Sequence, residues 1–172
     1  MRSDWVSCDI MSHILAAMTK ANRLAILVSL TTGLRISDVL NLRTEQLCNR
    51  FTVTEQKTLK HKLVVLSDNL LDELISISGK IYVFEGRLNP RKPRTRQAVY
   101  KDIKRAAKAF RVDCNVSTHS ARKIYAVKQY KRTCSLKRVK ELLNHTSEAV
   151  TMIYALADQI AARGGSAARP PL

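Results

Sequence analysis

Four short stretches carry most of the chemistry in this chain. THSARKIY (118–125) places His119 and Arg122 three residues apart at the start of a predicted helix, hence on one face. NHTSEAVTMIY (144–154) supplies His145 and, nine residues later, Tyr154. TTGLRISDVLNL (31–42) sets Arg35 just after a glycine turn, where the apolar pattern is about to enter the core. EQKTLKHKLVVLS (55–67) adds Lys57, Lys60 and Lys62 in one hairpin. Taken singly, each has an ordinary structural explanation. A lone HxxR is commonly surface chemistry, and a tyrosine among Val150, Ile153 and Leu156 is commonly a core aromatic.

Together they are the parts that phosphoryl transfer to a tyrosine needs. Two arginines can grip a phosphate bidentately and neutralise charge on its non-bridging oxygens. A histidine can move a proton near neutral pH. A lysine can protonate a departing 5′ oxygen, and a tyrosine hydroxyl can form a covalent intermediate. No DxD, ExD or HExxH pattern competes for the role, so cations of the protein stand where a metal otherwise would. The expected cofactor list is empty. Arg35 needs an anionic partner if it points into a cleft.

The elements that must hold these residues are mostly helical. Residues 11–32 read as helix, first HILAAM and then RLAILVSL, ended by Gly33. ISDVLNL resumes as helix. FTVTEQK (51–57) and KLVVLS (62–67) predict a β-hairpin, and Asp68 is expected to cap the helix NLLDELISI. IYVF (81–84) predicts a further short strand. TRQAVYKDIKRAAKAF puts Val99, Ile103, Ala107 and Phe110 on one helical face. Helices over 119–131, 135–143 and 147–162 complete a mainly α fold with a small antiparallel β-sheet, an α+β architecture. GGSAARPPL is a Gly/Pro-rich tail.

Composition narrows the partner. Thirty Lys+Arg against fourteen Asp+Glu give a formal charge of +16 in 172 residues. Such a chain repels itself unless a polyanion neutralises it, so nucleic acid ranks first. Between residues 87 and 111 there are ten Lys or Arg and a single acid, Asp102. Arg91, Lys92, Arg94, Arg96, Lys101, Lys104 and Arg105 of this segment are the candidate contacts to a DNA backbone. The longest apolar run, LAILVSL, is far too short to span a bilayer, and the basic residues are not gathered on one amphipathic helix. Cys8, Cys48, Cys114 and Cys134 form no CxxC pair and read as reduced, partly buried thiols of a cytoplasmic protein.

TGLRISDVLNL, THSARKIY and LLNHTSEAVTMIY resemble the three conserved boxes of the tyrosine recombinases, or phage-type integrases. The resemblance covers about residues 10–158, and it includes the 23-residue step from Arg122 to His145 and the nine-residue step to Tyr154. EQKTLKHKLVVLS is similar to the family's hairpin. The resemblance implies that Arg35 and Arg122 clamp the scissile phosphate and that Lys57 is the general acid. It implies that His119 assists proton transfer, that His145 hydrogen-bonds the phosphate, and that Asp38 is a supporting acid. Tyr154 would attack to leave a 3′-phosphotyrosine and a free 5′ hydroxyl. Arg35's buried partner would then be a DNA phosphate rather than a protein carboxylate.

Asn144 stands where the family usually has glycine, and both tolerate a left-handed cap. Ser120–Ala121 replaces a more usual acidic-leucine pair. Residues 1–162 would be the catalytic domain and 163–172 a disordered tail, with the N-terminal domain that closes the family's clamp on DNA absent. The expected partners are double-stranded DNA, further copies of the chain in a synaptic tetramer, and an accessory DNA-binding protein or domain. The expected location is cytoplasmic and nucleoid-associated, or the host cytoplasm for a viral protein. A type IB topoisomerase-like relaxer and a non-catalytic DNA-binding relative are the alternatives.

Overall fold

The computed structural model describes residue 4 and residues 6–143 of the chain. The chain divides after Tyr125 into two compact units. In the first, helices α1 (Cys8–Ala16), α2 (Lys20–Thr32) and α3 (Ile36–Leu40) lead through a 3-10 turn at Thr44–Gln46 to strands β1 (Arg50–Thr54) and β2 (His61–Val65). Helices α4 (Asp68–Ile75) and α5 (Arg96–Ala109) follow, and α6 (Thr118–Thr133) runs across the boundary. In the second unit α7 (Leu136–Leu142) begins at the Ser135 cap, whose hydroxyl accepts from the Arg138 N–H at 3.2 Å.

Helical spacing accounts for the core of the first unit. Met11, Ile14 and Leu15 of α1, Leu24, Ala25 and Val28 of α2, and Val99, Ile103 and Ala106 of α5 are all buried. Leu34, Val39, Leu40, Val83 and Phe84 fill the same core. α2 ends at Gly33, whose backbone is left-handed at φ 70°. A residue with a Cβ would be strained there.

β1 and β2 pair antiparallel, with Arg50 opposite Val65 and Thr54 opposite His61. Alternation puts Phe51, Val53 and then Glu55 on the buried face of the first strand. The same alternation turns Val64 and Leu66 inward on the second, with Lys62 at the half-buried mouth. Leu63 and Val65 face outward.

Several expectations are corrected. Residues 81–84 do not form a strand: Tyr82 makes an isolated bridge to Arg43, while Val83 and Phe84 enter the core. The segment pairs with residues 42–44 only through this bridge, with the Thr44 N–H on the Ile81 carbonyl (3.1 Å) and the Val83 N–H on the Leu42 carbonyl (3.0 Å). The α4 cap position is Ser67, and Asp68 is instead the first helical residue, accepting from Asn49 Nδ2 at 2.6 Å. Phe110 leaves the apolar face of α5 because the helix ends at Ala109, and its half-exposed ring stacks on His13. Cys8, Cys48 and Cys134 are exposed free thiols, and Cys114 is half-buried. No helix among the described residues is long and apolar enough to cross a membrane.

Asp102 fastens α5 to the turn between α1 and α2. Its carboxylate accepts from the Thr19 N–H (3.0 Å), the Thr19 hydroxyl (2.8 Å), Asn22 Nδ2 (2.8 Å) and Arg105 (2.7 Å). Burial alone would raise this carboxyl, but the bonds from Asn22, Arg105 and Thr19 outweigh it and lower it from 3.8 to about 2. The folded state thus favours the charged form. Its stabilisation is complete above the ordinary carboxylate pKa and is lost as pH falls from about 4 through 2. Asp102→Asn is expected to cost about 2 kcal/mol at pH 7. Urea titrations should show the gap to wild type narrowing below pH 4, and a pH-independent gap would contradict the assignment.

Candidate active site

The site is built around the glycine turn between α2 and α3. Gly33 is needed there twice. Beyond its positive φ, a Cβ at this position would lie 2.5 Å from ring atoms of Tyr125 on α6. The missing side chain lets α6 approach closely enough for Arg122 Nη1 to donate to the Gly33 carbonyl at 2.6 Å. Arg35 follows two residues later, at the N-cap position of α3. One backbone turn therefore fixes both arginines. Arg122 is buried, and the Arg35 side chain is 11% exposed.

Beneath them lie two carboxylates. Glu55, at the end of β1, accepts from Arg35 Nη1 at 2.7 Å and from the Thr58 hydroxyl at 2.9 Å. Asp38 accepts from the Gln56 N–H at 3.0 Å, and its other oxygen lies 4.0 Å from Arg35. This overturns the expectation that Arg35 has no protein carboxylate as its buried partner. Both acids have fully buried side chains, but they divide the charge differently. Burial raises the Asp38 carboxyl, only partly offset by the Gln56 N–H, with the Glu55 charge adding to the rise. Glu55 also feels burial, yet the bonds from Thr58 and Arg35 and the charges of Arg35 and Arg122 bring it below the ordinary value. The environment therefore favours the charged form more strongly at Glu55 than at Asp38.

Glu55 was not among the sequence candidates. The available signal was parity: it continues the inward alternation of Phe51 and Val53, so a carboxylate had to be buried at the strand end.

The hairpin lysines separate by environment. Lys57 stands exposed in the turn, between the anchored Gln56 and Thr58, and Lys60 is exposed as well. Lys62 lies with its ammonium 5.4 Å from the Tyr125 ring centroid, a cation–π distance. Its pKa falls from 10.5 to about 8, first through burial and then through the charges of Arg122 and Arg35, partly countered by Glu55 and Asp38. The electrostatics thus bring Lys62 to the cluster, and the geometry leaves Lys57 at its rim.

A cleft of about 360 Å³ opens beside the turn, lined by Arg35, Ser37, Arg96, Tyr100, Asn115 and His119 among others. His119 is exposed there, and its backbone N–H donates to the Ser117 hydroxyl at 3.2 Å. Arg96, at the start of α5, links the cleft to the basic segment. Within that segment Arg91, Lys92, Arg96 and Lys101 are exposed. The other three candidates also have partners within the protein. Arg94 donates to Asn22 Oδ1 at 3.4 Å, Lys104 to Asn115 Oδ1, and Arg105 to Asp102 and the Ala17 carbonyl. His145 and Tyr154 lie outside the described residues, as do Asn144 and the tail.

Residues 5–159 match the phage integrase family. The chain belongs to that family. Among curated members of similar sequence, "Tyrosine recombinase" of Thermosipho africanus (strain TCF52B) is 32% identical over 168 residues, covering 91% of this chain and 58% of that protein. "Probable integrase/recombinase YoeC" of Bacillus subtilis (strain 168) is 30% identical over 131 residues, covering 73% of this chain and 71% of that protein. Among solved structures, XerA recombinase superposes with a TM-score of 0.71 at 17% identity, over 96% of this chain and 65% of that one. A lambda integrase tetramer bound to a Holliday junction gives a TM-score of 0.71 at 21% identity, over 88% of this chain and 48% of that one. The mainly helical fold with one small antiparallel sheet is therefore that of the tyrosine recombinase catalytic domain.

One consequence of the electrostatics is measurable without knowing the recognition sequence. A phosphate entering between the arginines should raise the Lys62 pKa, because an anion favours the ammonium form. Near pH 9 the free protein holds Lys62 largely neutral, so binding any duplex should take up close to one proton per chain. At pH 6.5 Lys62 should contribute none. Calorimetry in buffers of different ionisation enthalpy reads this directly, with Lys62→Met as the control. Equal uptake by wild type and Lys62→Met would refute it.

Proposed function

We propose that this chain is the catalytic domain of a site-specific DNA recombinase that cleaves and rejoins duplex DNA through a 3′-phosphotyrosyl intermediate. The observation that carries the reading is the arginine pair. Arg122 is bonded to the carbonyl of Gly33 and Arg35 sits two residues on, so two guanidinium groups are preorganised around one turn. Their counter-charge is already buried beneath them as Glu55 and Asp38. A scissile phosphate held there has its developing charge met by groups that need not reorganise.

Tyr154 attacks the phosphorus and the 5′ oxygen departs with a proton. Lys57 donates that proton, His119 assists proton transfer at the nucleophile, and His145 hydrogen-bonds the phosphate. Lys62, half-buried among the arginines, contributes a tunable charge close to the same phosphate. Rejoining reverses the step. The phosphotyrosine conserves the bond energy, so no nucleotide is consumed. Arg96 at the cleft and the exposed Arg91, Lys92 and Lys101 beyond it track the DNA backbone. Strand exchange needs further copies of the chain, in keeping with the related lambda integrase seen as a tetramer on a Holliday junction.

The decisive experiment is covalent capture. A library of nicked suicide duplexes of random sequence is incubated with the protein in excess EDTA and without ATP, and denaturation-resistant protein–DNA adducts are recovered. Adducts with a 3′-linked tyrosine and a free 5′ hydroxyl are expected. Adducts that form only with added Mg²⁺ would point to a different mechanism.

A further inference from the structure

The turn that carries Lys57 is not a loose loop end. On one side of Lys57, the Gln56 N–H is held by Asp38 at 3.0 Å. On the other, the Thr58 hydroxyl is held by Glu55 at 2.9 Å. The Leu59 N–H closes the turn on the Glu55 carbonyl at 2.8 Å, and the Glu55 N–H closes it on the Lys60 carbonyl at 3.0 Å. Leu59 adopts a left-handed φ of 54° although it is not glycine. Such a conformation costs about 1 kcal/mol or more and persists only where surrounding bonds over-determine it. The same oxygen of Glu55 that accepts from Thr58 also accepts from Arg35, at 2.7 Å.

We propose that Glu55 is a positioning residue: one buried carboxylate ties the phosphate-gripping Arg35 to the turn that presents Lys57, so the two are set as one unit. The inference rests on the recombinase reading with Lys57 as the general acid. It adds a residue that acts through Arg35 and the Lys57 turn. Through Arg35, Glu55 senses where the phosphate is held, and through Thr58 it fixes the lysine that must reach the leaving oxygen. A helix and a hairpin far apart in sequence thereby share one hydrogen-bonded reference point. Loss of the Thr58 bond should leave the arginine clamp in place but let Lys57 wander. Loss of Glu55 should do that and weaken the Arg35 orientation as well.

The test uses the duplex recovered by covalent capture, made in two forms. One has an ordinary phosphodiester at the cleavage point, and the other has a 5′-bridging phosphorothiolate, whose thiolate leaves without a proton. Wild type, Lys57→Ala, Thr58→Val and Glu55→Gln are compared as the full chain, with circular dichroism to confirm folding. Thr58 is half-exposed in a turn, so Thr58→Val stays informative even if Glu55→Gln folds poorly. On the ordinary substrate, Thr58→Val and Glu55→Gln should cleave about tenfold to a hundredfold slower, a partial loss of the about hundredfold to ten-thousandfold that a general acid contributes. On the phosphorothiolate, Thr58→Val should return to the wild-type rate and Glu55→Gln should recover at least about tenfold. If Lys57→Ala is rescued while both other variants stay slow on both substrates, or never slow at all, the positioning role is overturned and the recombinase reading stands. If Lys57→Ala itself is not rescued, Lys57 is not the acid, and the inference falls with that assignment.

Discussion

Tyr154→Phe should abolish covalent adducts, reducing them by about a thousandfold or more, as loss of an enzyme nucleophile does. The substitution removes one hydroxyl and leaves the ring, so any packing by that side chain is retained. DNA affinity should stay within about twofold of wild type, because binding is carried by cations on phosphates and not by the nucleophile. Mobility shifts on a captured duplex measure the binding, and denaturing gels of the suicide substrate measure the adduct. The contrast between the two assays carries the argument: a folding defect would depress both, and a lost nucleophile depresses only the second. Adducts at the wild-type level in Tyr154→Phe would sink the assignment of Tyr154. Another hydroxyl would then have to be found.

The parts of this molecule that follow period rules were legible from sequence. Helical spacing located α1, α2, α5 and α6, and the Gly33 stop signal matched a left-handed cap at φ 70°. Spacing of residue types likewise marked Arg35, His119 and Arg122, and the structure brings Arg35 and His119 to one cleft and Arg122 to the turn that carries Arg35. Long-range electrostatics were less visible. Nothing local to Glu55 says that its side chain meets Arg35 twenty residues away, because that meeting depends on how the hairpin docks on α3. The hydrophobic run at 81–84 was equally ambiguous: a short apolar stretch fits a strand or a buried connection, and here tertiary packing chose the latter. Charge runs say nothing of internal partners. Arg94, Lys104 and Arg105 are expected DNA contacts by composition, and each also donates a hydrogen bond within the protein.

Arg35→Ala should affect stability and catalysis together, and the two can be separated. The Glu55 side chain is 0% exposed and meets Arg35 at 2.7 Å. Removing the guanidinium leaves a buried carboxylate beside a second one, Asp38, with less positive charge to balance them. Breaking a buried pair from one side costs about 3–5 kcal/mol, chiefly from the stranded charge. The variant can relieve that cost by protonating Glu55, which raises the folded-state pKa above the unfolded one. Its stability relative to wild type should therefore improve as pH falls through that raised pKa, opposite in sign to the trend imposed by Asp102. Adding Glu55→Gln removes the stranded charge, so Arg35→Ala/Glu55→Gln should regain about 2 kcal/mol or more over Arg35→Ala at pH 7. Cleavage should not return. On the proposed recombinase reading one of the two phosphate-binding guanidinium groups is still missing, and the loss should remain about a hundredfold to a thousandfold, the scale for removing one preorganised charge-stabilising donor. Urea titrations across pH and adduct formation on the captured duplex supply the two readings. If Arg35→Ala were as stable as wild type and indifferent to pH, Glu55 would not depend on Arg35 for its charge. If the double variant cleaved like wild type, Arg35 would be a structural cation, and the phosphate clamp would have to be sought elsewhere.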